Sequence, residues 1–421
     1  MRRFSPFYFI FIFLWCLFLL GCGVDKNYSL SLISIEREIE LGKLYTPSSI
    51  DEFEGLYPEK EIQEYVSYIG NRLAKEAERK VPYKFWVVNS NVVNAFALPG
   101  GPVIITRGLL LQLDKESQLA GVLAHEIGHI NARHHVRFLE KTLALNLILQ
   151  VGSLFLPQNL TGEILFRLGE ISAGLLSLKF SRDQEREADK YGFLFTLKAG
   201  YSPQGMIEVF EKFKALERER PPEWLSTHPL PETRIKEAKD YIKTFKPTGS
   251  LISDTSNFQR IKSQILLTKE SYDYVERGKQ AYKKKELTQA ENYFKRALEL
   301  YPQNTVALIY LTYINLEKNR FSEALEMASQ AVKIDPQFFR AQLLAGITYF
   351  KVRNFEKALF HLNEAQKLIP FNGISYYYKG RVYEEENKLN EAAKNYKKAL
   401  EIGPKDASWY KDCYARYQKI S

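Results

Sequence analysis

The chain has 421 residues, a formal net charge of +9 and 45% hydrophobic residues. That length allows more than one domain, and that apolar fraction excludes a mainly disordered chain. The positive excess is spread over Lys-rich stretches with no compact basic block, which argues against a nucleic-acid partner.

At the N-terminus, Arg2 and Arg3 precede a continuous apolar run over 7–20 that leads into Leu19-Leu20-Gly21-Cys22. The run is short for a membrane span. It resembles a bacterial lipobox, in which a signal peptide is cut before a lipid-modified Cys. The expectation is a signal peptide over 1–21 and a periplasmic chain anchored to a membrane, the outer one, through Cys22. Cys16 falls in the signal, so Cys413 is left alone and no intramolecular disulfide is expected.

Residues 22–58 read as a polar, membrane-proximal lead-in. Over 59–80, Ile62, Tyr65, Val66, Ile69 and Leu73 share one helical face. A strand is predicted over 83–88, then a turn-rich stretch over 94–101, then a second strand over 102–106. Pro102 suits the start of a strand at a sheet edge, where a substrate backbone could add as a further strand.

A buried helix is predicted over 115–138. It carries His125-Glu126-Ile127-Gly128-His129, with the two histidines four residues apart in a chain that has six. That spacing stacks both imidazoles on one helix face. Two neutral imidazoles so placed can bind one Zn²⁺, and Glu126 beside them can take a proton from water. The apolar run 143–156, interrupted by Asn146 and Gln150, reads as a core helix too short to cross a bilayer.

Ser181 is a predicted N-cap for the next helix, where Glu185 and Asp189 share a face. A site with two His needs a third protein ligand and an open position. Glu185 is one candidate. His135 is the other, but position 132 is Ala where the metzincin pattern has Gly, so the helix is predicted to continue and carry His135 away.

Taken together, Asn94-Ala95-Phe96 with Pro99-Gly100-Gly101, the His125–His129 motif, Ser181-Arg182 with Glu185 and Glu187-Ala188-Asp189, and Thr227-His228-Pro229 with Arg234 resemble the metallopeptidases related to HtpX and the CAAX prenyl protease. The resemblance implies a zincin-like α+β domain, mainly α with a small β-sheet. It implies one Zn²⁺ per chain held by His125, His129 and Glu185, with Glu126 as general base and Asp189 supporting a ligand imidazole. It also brings His228 and Arg234 near the metal. His228 would then either donate with Arg234 to the tetrahedral oxyanion or fill the open metal position as a latch.

Beyond a linker helix region at 248–270, residues repeat. Pro302, Pro336, Pro370 and Pro404 are spaced by 34, as are Ala290, Ala324, Ala358 and Ala392. Gly278, Gly346 and Gly380 keep the register, with Thr312 at the odd position. This is the tetratricopeptide (TPR) period. It predicts four repeats over 271–421, closed by a capping helix into an all-α superhelix whose concave face takes partners. The metallopeptidase domain is expected over 59–247. The whole resembles the soluble, repeat-bearing branch of that family, and implies a zinc endopeptidase acting on misfolded envelope proteins beside the outer-membrane assembly machinery. The rival is a TPR chaperone or scaffold with a largely latent zinc site.

Overall fold

The computed structural model describes residues 33–149, 174–175, 177–217, 221–230, 232–244 and 249–421. The signal peptide, Cys22 and the second half of the 143–156 run lie outside the described residues. Among the described residues, no helix is long and apolar enough to cross a membrane.

The first element departs from the expected lead-in. Residues Ile35–Glu52 form a helix, α1, capped by Ser34 and carrying Pro47 inside it. Its polar composition hides it in the sequence, yet Leu41, Tyr45 and Ile50 are buried against Val88, Ile104 and Val136. Helix α2 (Lys60–Ala74) buries the predicted face. It leads into a three-stranded sheet of β1 (Lys84–Val88), β2 (Ala95–Ala97) and β3 (Pro102–Thr106), in the order β1-β3-β2. β3 is therefore the central strand and not an edge: it pairs parallel with β1 and antiparallel with β2. Pro102 is tolerated there because it occupies the first position of the strand. The edges are β1 and β2, and the turn-rich stretch concealed β2.

After the short α3 (Arg107–Gln112), α4 (Glu116–Asn131) is buried along its entire length. Its Leu119, Leu123, Ala124 and Ile127 fill the centre of a core, and its polar residues, His125, Glu126 and His129 among them, are buried as well. The expected continuation to 138 does not occur. The chain turns at Ala132 and Arg133, where Arg133 has φ 56°, and a new helix, α5 (His134–Leu149), begins. Helices α6 (Arg182–Lys198) and α7 (Gln204–Leu216) pack on α4. The short α8 (Trp224–Thr227) and then α9 (Glu232–Lys243) complete this half.

The repeats follow as four antiparallel pairs: α10 (Ser256–Lys283) with α11 (Leu287–Leu300), α12 (Thr305–Glu317) with α13 (Phe321–Ile334), α14 (Phe339–Lys351) with α15 (Phe355–Leu368), and α16 (Gly373–Glu385) with α17 (Leu389–Ile402). The expected final helix is α18 (Tyr410–Ile420). The glycine register has a packing cause: a Cβ at Gly278, Gly346 or Gly380 would lie 2.5–2.7 Å from Phe294, Leu362 or Tyr396 of the paired helix. The fold is thus mainly α with one small sheet, followed by an all-α repeat array.

Helix α10 spans the expected linker and the first repeat without a break. Its Phe258, Ile261 and Ile265 share one hydrophobic cluster with Tyr57, Ile62 and Leu123. Further along the seam, Asp51 pairs with Arg340 at 3.2 Å, and the Leu56 N–H donates to Asp335 at 3.1 Å. The Arg107 guanidinium lies 3.8 Å from the centre of the Tyr272 ring.

Candidate metal centre

The site forms where α4 and α6 cross. Two glycines permit the approach. A Cβ at Gly128 would lie 2.7 Å from the Ala188 carbonyl oxygen, and one at Gly192 would lie 3.2 Å from the His125 nitrogen. Ser181 caps α6 in a capping box with Gln184, as expected. This fixes the first turn, and Glu185 faces His125 and His129 from there.

The donor atoms converge. His125 Nε2 and His129 Nε2 are 3.1 Å apart, and Glu185 Oε1 is 3.4 Å from His129 Nε2. Glu185 Oε2 is 3.6 Å from His125 Nε2. His228 Nδ1 lies 3.2 Å from His125 Nε2 and 3.0 Å from Glu185 Oε1. Zn–N bonds of about 2.0–2.1 Å in a tetrahedron put ligand atoms about 3.3 Å from one another, so these separations suit one metal ion. His125, His129, Glu185 and His228 are all buried. Two buried atoms beside them, Glu126 Oε2 and His228 Nε2, have no hydrogen-bond partner. A buried carboxylate oxygen left free next to a donor cluster fits a site built for an ion and its reactants.

Each imidazole is oriented from behind. His125 Nδ1 is 3.0 Å from Asp189 Oδ1, so its N–H donates there and Nε2 keeps the lone pair for the site. His129 Nδ1 is 2.9 Å from His134 Nδ1, and His134 Nε2 is 3.2 Å from Glu187. This relay assigns N–H to His129 Nδ1 and His134 Nε2, again leaving Nε2 of His129 free for the ion. Sequence reasoning missed His134. The only hint was a His pair directly after a helix whose end was misplaced. His135 is buried against Phe180 and lies outside the donor group.

Arg234 is fastened by its surroundings. Its Nε and Nη2 donate to Asp189 at 2.5 and 2.9 Å, and its Nη1 donates to the Pro229 carbonyl at 2.8 Å and meets Glu185 Oε2 at 2.5 Å. An oxyanion role beside His228, one of the two alternatives for this segment, would draw on a guanidinium that four contacts already hold. Arg234 ties the Glu185 and Asp189 carboxylates to the His228 segment. Trp224, also overlooked in the sequence, stacks on His228 with ring centres 4.7 Å apart and donates its indole N–H to Glu126 Oε1 at 3.3 Å.

The electrostatics follow. Burial pushes the Glu126 carboxyl up, against His228 and His125. Burial drives His129 well below the usual imidazole range, which favours the neutral form that metal binding would require. Burial opposes ionisation of Glu185, but Arg234 and His228 outweigh it and hold this carboxyl well below its usual range. For His228, burial disfavours the charged form while Glu185 and Glu126 raise its affinity for a proton by more.

A helix with two His one turn apart, a carboxylate reaching the same point from α6 and a Glu beside them are the parts a metallopeptidase uses. Residues 60–242 match the profile of peptidase family M48, and residues 281–337 and 374–406 match tetratricopeptide repeats. The chain carries an M48 metallopeptidase domain followed by TPR repeats. It is similar to the beta-barrel assembly-enhancing protease of Yersinia pestis, 29% identical over 335 residues that cover 71% of this chain and 67% of that one. It is also similar to the mitochondrial metalloendopeptidase OMA1 of Arabidopsis thaliana, 35% identical over 37% of this chain and 31% of the relative. Among solved structures, a thermophilic TPR protein of Thermus thermophilus aligns with a TM-score of 0.32 and 22% identity, covering 36% of this chain and 89% of its own.

Proposed function

We propose that this chain is a zinc endopeptidase of the bacterial cell envelope whose resting state is latched by His228. The observation that carries the reading is the convergence of His125 Nε2, His129 Nε2 and the Glu185 carboxylate beside the unpartnered Oε2 of Glu126. Bound by those three side chains, Zn²⁺ would supply Lewis acidity towards the scissile carbonyl and towards water. Asp189 and His134 hold the ligand imidazoles in the required tautomers. Glu126 accepts the proton of the attacking water and returns it to the leaving amine, and its raised pKa suits that return.

His228 Nδ1 stands among the donors, 3.0 Å from Glu185 and 3.2 Å from His125, where a fourth ligand would sit. That position supports the latch over the oxyanion donor. It also gives weight to a largely latent site in a chain that works as a scaffold between cleavage events. Substrates are misfolded or stalled envelope polypeptides delivered through the repeats. The likeness to proteins named for β-barrel assembly supports a place beside the outer-membrane assembly machinery. Cys22 provides the lipid anchor. The test is basal casein cleavage by His228→Ala against wild type at equal zinc content. Faster, less selective cleavage is expected, and a fall of about a hundredfold would instead mark His228 as an oxyanion donor.

A further inference from the structure

A carboxylate that works as a general base must present one particular oxygen, and nothing covalent distinguishes Oε1 from Oε2. In this site the two differ by their surroundings. Glu126 Oε1 accepts from the indole Nε1–H of Trp224 at 3.3 Å and lies 3.6 Å from His228 Nε2, whereas Oε2 is buried and unpartnered. The indole itself is held on all sides. Its ring lies against Phe210 and Phe213 at 6.1 and 5.5 Å between centres, and meets His125 edge-on at 5.5 Å. Its backbone N–H donates to the Val93 carbonyl, in the loop that leads into β2, at 3.1 Å. Only 1% of the residue is exposed. A buried Trp spends its one donor where a partner exists, and here that donor goes to the one glutamate adjacent to the metal-binding His125.

We infer that Trp224 is a positioning residue for the general base: its indole N–H commits Oε1 of Glu126 and so turns Oε2 towards the reaction. Because the opposite use of the same ring is to stack on His228, 15° from parallel, the segment that carries the latch also sets the base. Holding a base within a narrow angular range is what a fixed hydrogen bond from a locked side chain does. Without the indole N–H, Oε1 loses the hydrogen bond that holds it, and the carboxylate is free to turn about its own axis.

The inference rests on Glu126 being the base, and the test separates the two. In the metal-free protein that begins at Cys22, the tryptophan indoles give ¹H–¹⁵N resonances, and Trp224→Phe assigns the one of interest. Glu126→Gln should move that resonance, as an amide replaces the carboxyl acceptor. An unmoved resonance overturns the contact. In the zinc-loaded protein, replacing Trp224 by its sulfur isostere benzothienylalanine keeps the ring and removes only the N–H. It should lower kcat about tenfold with KM and zinc content unchanged. A kcat at the wild-type level, while Glu126→Gln is inactive, overturns the inference, as does a rise in kcat. If Glu126→Gln itself still cleaves, the base assignment fails instead.

Discussion

Arg234→Met is the most informative single perturbation of the site's framework. Arg234 is 2% exposed and faces two buried carboxylates, Glu185 and Asp189, with contacts of 2.5 to 2.9 Å. Removing one partner of a buried ion pair costs about 3–5 kcal/mol, because the charge left behind is uncompensated. In the metal-free protein both carboxylates lose their cation, so the cost belongs at the upper end of that range. With zinc bound, Glu185 has another partner and the cost falls. For a domain of this size about 1 kcal/mol shifts Tm by 2–4 °C, so the metal-free variant should melt roughly 10–20 °C lower, with part of the deficit restored by zinc. Differential scanning calorimetry with and without chelator reads this directly. If the variant melts within 2 °C of wild type in both states but cleaves casein a hundredfold more slowly, Arg234 is an oxyanion donor and the fastening role is wrong.

Glu185→Ala should lose stoichiometric zinc by metal analysis, since a three-ligand site drops to two; undiminished zinc would reject Glu185 as a ligand. In the repeats, the Glu291 carboxyl is held well below its usual range, first by its hydrogen bond from Arg320 and also by Lys295 and Lys318. A depressed carboxyl stabilises the fold above the unfolded pKa of about 4.3, and that stability is lost as pH falls towards the folded value. The Tm gap between wild type and Glu291→Gln should therefore be widest near neutral pH and close below about pH 4. A gap independent of pH would contradict it.

What the sequence made legible was whatever local periodicity imposes. The spacing of His125 and His129 follows from the α-helical repeat, Ser181 announces a helix start, and a strict period of 34 residues reveals paired helices. Helix α1 escaped because its face is weakly apolar and Pro47 sits inside it; its burial depends on β-strands about fifty residues away. The end of α4 escaped because no Gly marks it, and Arg133 takes the left-handed conformation instead. That error also hid His134, whose role depends on the turn. β3 was misjudged as an edge because β2 is only three residues long. Trp224 and the docking of α10 against Tyr57 and Arg107 rest on contacts between distant segments, for which spacing carries no signal.

In the proposed mechanism Glu126 is the base of a zinc site it does not help to hold. Zinc content and casein cleavage measured together on Glu126→Gln test it most directly. The variant should retain about one zinc per chain, as a site of three other ligands requires, and show no cleavage above a chelated control. Loss of the zinc, or cleavage at the wild-type rate, would contradict the account.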